Sequence, residues 1–218
     1  VDNGRVVGVK AITSQGDVIF HAKSVILACG GFEANAEMRG RYLGRPWDTM
    51  KIRGVPFNTG EGLTMCLDIG AVPYGAWNNA HCSPCDMNMT DFTLPSARRT
   101  GALGASTRYS YPYSIMVNVN GKRFVNEGWH TRGYTYGQMG QHILRQPEGV
   151  GFQLFDAKAR RMNLIAYDPT TATGTTANTL EDLADQLGID PKGMVQTVKE
   201  FNAAIQDGTL DPGPYRMD

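Results

Sequence analysis

Between Asn118 and Tyr136 the sequence runs NVNGKRFVNEGWHTRGYTY, and this stretch narrows the possible folds most. The β-prone run Ser114-Ile115-Met116-Val117 leads into it. Asn118 to Gly121 carries turn chemistry, and Arg123-Phe124-Val125 resumes extended sequence, so the spacing predicts a β-hairpin. The chain then leaves the strand carrying Glu127, His130 and Arg132 within six positions. Acid–base and anion-binding groups just past a strand end are where sites tend to be built. A solvated loop with scattered polar side chains is the competing reading.

The first residues predict a second hairpin. Arg5 to Ala11 alternates as a strand, Thr13 to Asp17 turns at Gly16, and Val18 to Ala22 returns. Ser24 to Ala28 is a continuous apolar run, the pattern of a strand buried on both faces of a sheet. It ends in Cys29-Gly30-Gly31-Phe32, where glycines permit close approach of a ligand to the backbone. Glu33 to Tyr42 reads as a short helix weakened by Gly40, and Arg45 to Pro56 as irregular. Thr59-Gly60-Glu61-Gly62 opens a helix that Gly70 stops; its first amides suit an anion or a carbonyl-rich ring. An ordinary N-cap by Thr59 explains the same residues.

Further along, Ala71 to Ala80 is loop or edge strand, and Asp86 to Ser106 is a long mixed segment. Apolar and aromatic residues recur at helical intervals from Tyr134 to Leu144, interrupted by Gly137 and Gly140. Gly151 to Asp156 reads as a strand, Ala157 to Met162 as a short basic helix with Arg160 and Arg161 on a solvated face, and Pro169 to Asn178 as a surface loop. Two helices close the sequence. Thr179 caps Leu180–Leu187 before Gly188, and Asp190 caps a helix starting at Pro191, with Met194, Val195, Val198, Phe201 and Ile205 on its inner face. Asp207 to Pro214 is an exit segment.

Composition excludes some functions. Lys plus Arg and Asp plus Glu balance at 21 each, which argues against a nucleic-acid surface or a polybasic membrane patch. No apolar run is long enough to span a bilayer, and the first residues are not a signal peptide. Four cysteines, Cys29, Cys66, Cys82 and Cys85, are too sparse for a disulfide scaffold. Cys82-Ser83-Pro84-Cys85 after His81 invites a metal or redox reading, but no second ligand pair is spaced for zinc and no βαβ context supports a thioredoxin-like motif. A reduced loop pair is favoured, and no metal is assigned.

The line GRVVGVKA…AKSVILACGGFEAN and the run SIMVNVNGKRFVNEG…TRGYTYGQMG together resemble the fumarate reductase and succinate dehydrogenase flavoproteins, with most similarity to the tricarballylate dehydrogenase branch. The resemblance implies an α+β chain. Residues 1–53 would be part of an FAD-binding domain, 54–206 a capping, substrate-binding domain, and 207–218 an exit toward the rest of the FAD domain. It places Cys29, Gly30, Gly31, Thr59, Gly60, Glu61 and Gly62 beside the flavin; Cys29 stands where the family usually has Thr. It makes Arg132 the group that handles the substrate proton and His81 a carboxylate ligand. Ser106, Thr107, Arg108 and His130 are further candidates for substrate binding, and Glu127 a support. The family's E-x-x-R relay is absent: Ser106-Thr107-Arg108-Tyr109-Ser110 holds no acid.

The expectation is therefore the middle of a longer FAD-dependent enzyme. It would dehydrogenate a small polycarboxylate, tricarballylate to cis-aconitate being favoured, by hydride transfer to flavin N5. Electrons would pass to an iron–sulfur/haem membrane partner, and the location would be cytoplasmic or peripheral at the inner membrane. A fumarate-reductase-like or cobalamin-pathway flavoprotein is the second reading, and a non-catalytic binding module the third. No G-x-G-x-x-G fingerprint is present, so this chain alone is not expected to retain FAD.

Overall fold

The computed structural model describes residues 1–92, 106–160 and 172–205. The first hairpin pairs β1 (Gly8–Thr13) with β2 (Gly16–His21), antiparallel from Gly8 opposite His21 to Thr13 opposite Gly16. Thr13 closes the turn: its hydroxyl donates to the Gly16 carbonyl at 2.8 Å and accepts the Gln15 N–H at 3.1 Å. The run Ser24 to Ala28, expected as a buried strand, pairs with no described strand. Ile26 is 92% exposed and Leu27 43%. An apolar run specifies burial only if neighbouring strands exist to bury it, and none of the described residues supplies one.

After the glycine turn, Asn35 caps α1 (Ala36–Met38), its side chain accepting the Met38 N–H at 3.0 Å. The helix expected through Tyr42 widens into a π-turn over Arg39–Leu43. The cause is visible at Arg39, which is buried and donates to the carbonyls of Trp47 at 2.9 Å, Glu33 at 2.5 Å and Asp48 at 3.0 Å. One guanidinium thus ties three segments of irregular chain together. Burial lowers its pKa, with Asp91 and Asp48 opposing. The next helix, α2, spans Glu61–Asp68.

The second half is built around β3 (Ile115–Val117). Its main partner is β4 (Phe152–Leu154), antiparallel, with Met116 opposite Gln153. The hairpin return expected at Arg123 to Val125 is reduced to one bridge, Val117 to Arg123. The turn itself forms as its side chains dictate: the Asn118 carboxamide oxygen accepts the N–H groups of Asn120 and Lys122, and Gly121 takes φ +66°. β3 divides two apolar clusters by its alternation. Met116 packs with Tyr111 and Met139 of α3 (Arg132–Leu144); Val117 packs with Ala184, Ile189 and Met194.

The closing helices form α5 (Leu180–Leu187) and α6 (Pro191–Ala204), after a short α4 (Ala157–Arg160). Thr179 accepts the Asp182 N–H, Gly188 ends α5 at φ +69°, and Asp190 accepts the N–H groups of Lys192 and Gly193. Ile205, expected on the inner face of α6, is 59% exposed because the helix has already ended at Ala204. The pair docks on the 118–122 turn. A Cβ at Gly121 would lie 2.2 Å from the Met194 nitrogen, and the Thr197 hydroxyl donates to the Gly121 carbonyl at 2.6 Å. Arg161, Met162 and the exit segment 207–218 lie outside the described residues.

Candidate active site

Two glycine turns meet at one place. Gly30, at φ +80°, lies so close to Asn58 that a Cβ there would sit 2.8 Å from its side-chain oxygen. The Ala34 N–H donates to the Asn58 carbonyl and the Asn35 carboxamide to the Thr59 carbonyl, each at 2.9 Å. Gly60, at φ +88°, leaves no room for a Cβ against Met38 and Phe32, and Gly62 backs onto Cys29. Cys29 and Gly30 remain exposed and Gly31 half-buried. Gly60 is the N-cap of α2; the Thr59 hydroxyl goes to the Glu61 carboxylate instead of capping a helix amide. That bond holds the Glu61 carboxyl below its ordinary pKa.

The other candidates gather on α3. Arg132 is its first residue and is exposed. The N-cap, Thr131, makes no capping bond with its side chain, and the first turn carries no acid, so no side chain of that turn neutralises the positive end of the helix beside Arg132. Glu127 does not neutralise Arg132. It is buried, accepts the Met116 N–H at 2.7 Å, and takes a forked pair of bonds from Arg123, the shortest at 2.5 Å. His130 meets the Thr131 hydroxyl at 3.1 Å and the Tyr134 ring at 4.8 Å between centroids.

His81 reaches α3 through its two glycines. The Cys82 N–H donates to the Gly137 carbonyl at 2.7 Å, and the Gly140 N–H donates back to the Cys82 carbonyl at 2.8 Å. Gly137 and Gly140 therefore let a loop lie against the helix, a use that their interruption of the helical pattern does not reveal. The His81 ring stands edge-on to Tyr136 at 5.0 Å. His81, Asn79, Gly133, Tyr134, Tyr136 and Gln138 help line an open depression of about 430 Å³ one residue from Arg132.

Arg108, expected to face a substrate carboxylate, is buried in an ion pair with Asp86. The neighbouring backbone is pinned as well: the Asp86 N–H donates to the Ser106 carbonyl, and Thr107 bridges Cys85. Asp86 was missing from the sequence candidates. The signal was there, since Asp86 is the sole Asp, Glu, Lys or Arg between Asp68 and Asp91. Cys82 is buried, and burial pushes its thiol up to about 12; Cys85 is raised by the same cause. Neither is a thiolate near neutrality, and no cluster suited to a metal occurs among the described residues.

A family model described as an FAD binding domain matches residues 1–214. The chain belongs to this FAD-binding family. Its similarities within the family are informative. It is 32% identical to the 4-oxocyclohexanecarboxylate 2-dehydrogenase of Sinomonas cyclohexanicum, covering 99% of this chain and 37% of that protein. It is 30% identical to the NADH:fumarate oxidoreductase of Klebsiella pneumoniae (strain 342), covering 91% of this chain and 20% of that protein. Among solved structures it superimposes on 3-ketosteroid delta1-dehydrogenase from Sterolibacterium denitrificans, in complex with 1,4-androstadiene-3,17-dione. The TM-score is 0.69 at 25% identity, over 96% of this chain and 39% of that one. The chain thus spans well under half of each relative. FAD is the family's cofactor, and among the described residues no helix is long and apolar enough to cross a membrane.

Proposed function

We propose that this member of the FAD-binding family contributes the substrate-facing part of an oxidoreductase acting on a CH–CH bond next to a carboxylate or carbonyl. The observation that carries the reading is Arg132, an exposed cation opening α3 with no acid in the helix's first turn, next to the His81 depression. A guanidinium and a free helix N-terminus both favour an anionic substrate group, and His81 is positioned to add a donor. Tricarballylate going to cis-aconitate remains the favoured reaction. Residues 54–206 are assigned the capping role and 1–53 the flavin side.

The two glycine turns fit one part of FAD better than another. Glu61 already occupies the positive end of α2 with a carboxylate, which disfavours a phosphate there and suits a neutral ring bearing N–H groups and carbonyls. Cys29, Gly30, Gly31, Thr59, Gly60, Glu61 and Gly62 would therefore hold the isoalloxazine, with the pyrophosphate held by other sequence. When bound, FAD supplies the hydride acceptor. His81 and the amides opening α3 hold the carboxylate, and Arg132, having first given its own proton to solvent, takes the proton from the neighbouring carbon. An arginine keeps its own proton to about pH 12 in water, so this role requires that closure over the substrate strip solvent from it. An external acceptor, an iron–sulfur/haem membrane protein by expectation, would take the electrons from the bound cofactor.

A second reading follows from the rings. Tyr134 is 75% exposed and Trp129 47%, with His130 between them. Such a row suits a ring-bearing substrate with one carboxylate or ketone better than a small aliphatic triacid. Anaerobic titration of the full-length, FAD-loaded protein that contains this chain separates the two. Bleaching by tricarballylate is expected; bleaching only by a cyclic ketone or cyclohexanecarboxylate derivative moves the assignment to the second reading. Bleaching by none of them, or undiminished bleaching in R132Q, overturns the proposal.

A further inference from the structure

Beneath Arg132, the first turn of α3 is tied to the core by two hydroxyls. Tyr111 and Thr135 are both 0% exposed, and the Tyr111 hydroxyl is hydrogen-bonded to that of Thr135. The Thr135 hydroxyl points in turn at the Arg132 carbonyl, 3.5 Å away. A hydroxyl has one proton to give. With Thr135 donating to the carbonyl, Tyr111 donates to Thr135, and the chain of donors ends on the backbone of Arg132. Burial raises the pKa of Tyr111, which keeps it the protonated donor this order needs, although the nearby Arg132 cation pulls the other way.

The pair is not explained by stability alone. Replacing both partners of a buried hydrogen bond with apolar groups of similar shape is often nearly neutral. Phe and Val would fill the cluster formed with Met116 and Met139. What they would not do is fix the turn's rotation. No side chain caps α3 and no acid occupies its first turn, and the hydroxyl pair is one inner restraint on that end. We propose that Tyr111, acting through Thr135, is a positioning residue for Arg132. The inference rests on the role given to Arg132 above, and it deepens that role.

The test uses the full-length, FAD-loaded protein that contains this chain, with Y111F, T135V, the double variant, T135S and R132Q. The double variant is expected to melt within a few degrees of the parent. Its kcat should fall about tenfold or more, since small misplacements of a reacting group are costly, while KM changes little. T135S, which keeps the hydroxyl, should retain the parent kcat. Backbone amides of the first turn of α3 should exchange faster in Y111F without substrate, a readout independent of turnover. Parent-like kcat and exchange in the double variant, with R132Q inactive, overturn the positioning role alone. Full turnover in R132Q overturns the role of Arg132 and this inference with it. A kcat loss that T135S shares also overturns it, because packing would then be the cause.

Discussion

Asp86 shows how one residue sets the character of a whole segment. Burial by itself would raise its pKa. The hydroxyl and N–H of Thr173, the N–H of Asn88 and the guanidinium of Arg108 outweigh that and bring it from 3.8 to about 2. A depressed folded-state value means the stabilisation is complete above the unfolded value and is lost as pH falls through the folded one. Stability is therefore expected to drop by on the order of 1–2 kcal/mol as pH falls from above 3.8 to about 2. Urea midpoints measured across that range check it, and D86N should flatten the dependence. Replacing Asp86 by Ala should cost about 3 kcal/mol at neutral pH, because the buried Arg108 guanidinium would lose its carboxylate partner.

At the level of elements, α3 carries two glycines whose removal should have different effects. Alanine normally stabilises a helix interior by about 1 kcal/mol relative to glycine. At Gly140 the new Cβ would lie 2.6 Å from the carbonyl oxygen of Cys82, a backbone atom. G140A is therefore expected to destabilise the protein by about 1–3 kcal/mol, read from thermal or urea unfolding. At Gly137 the nearest obstacle is the His81 ring, at 2.6 Å, which can swing aside. G137A should leave stability near the parent value and weaken carboxylate binding, measured by titration with tricarballylate. Equal unfolding losses in the two variants would contradict this division of labour. The same docking logic governs α5 and α6, which hold to the 118–122 turn through Gly121, Gly193 and Thr197.

Across the whole molecule, the apolar surface is unevenly covered. The clusters on either side of β3 are closed, whereas Ile19 and Phe20 of the first hairpin and Ile26 beyond it are exposed. The chain expressed alone is expected to be colourless and to bind ANS through that end. A visible flavin spectrum, or no ANS fluorescence, would contradict this. Legibility followed the same division. Caps, turns and the closing helix pair were readable because Thr179, Asp190, Gly188 and Asn118 act on backbone groups a few residues away. The candidate cluster near Arg132 was readable because its members lie close together in the chain. Three assignments needed the folded structure: β3 pairing with β4, Arg108 pairing with Asp86, and His81 lying against α3. Each joins residues more than twenty positions apart, and local sequence carries no term for a contact whose energy depends on what else has already been buried.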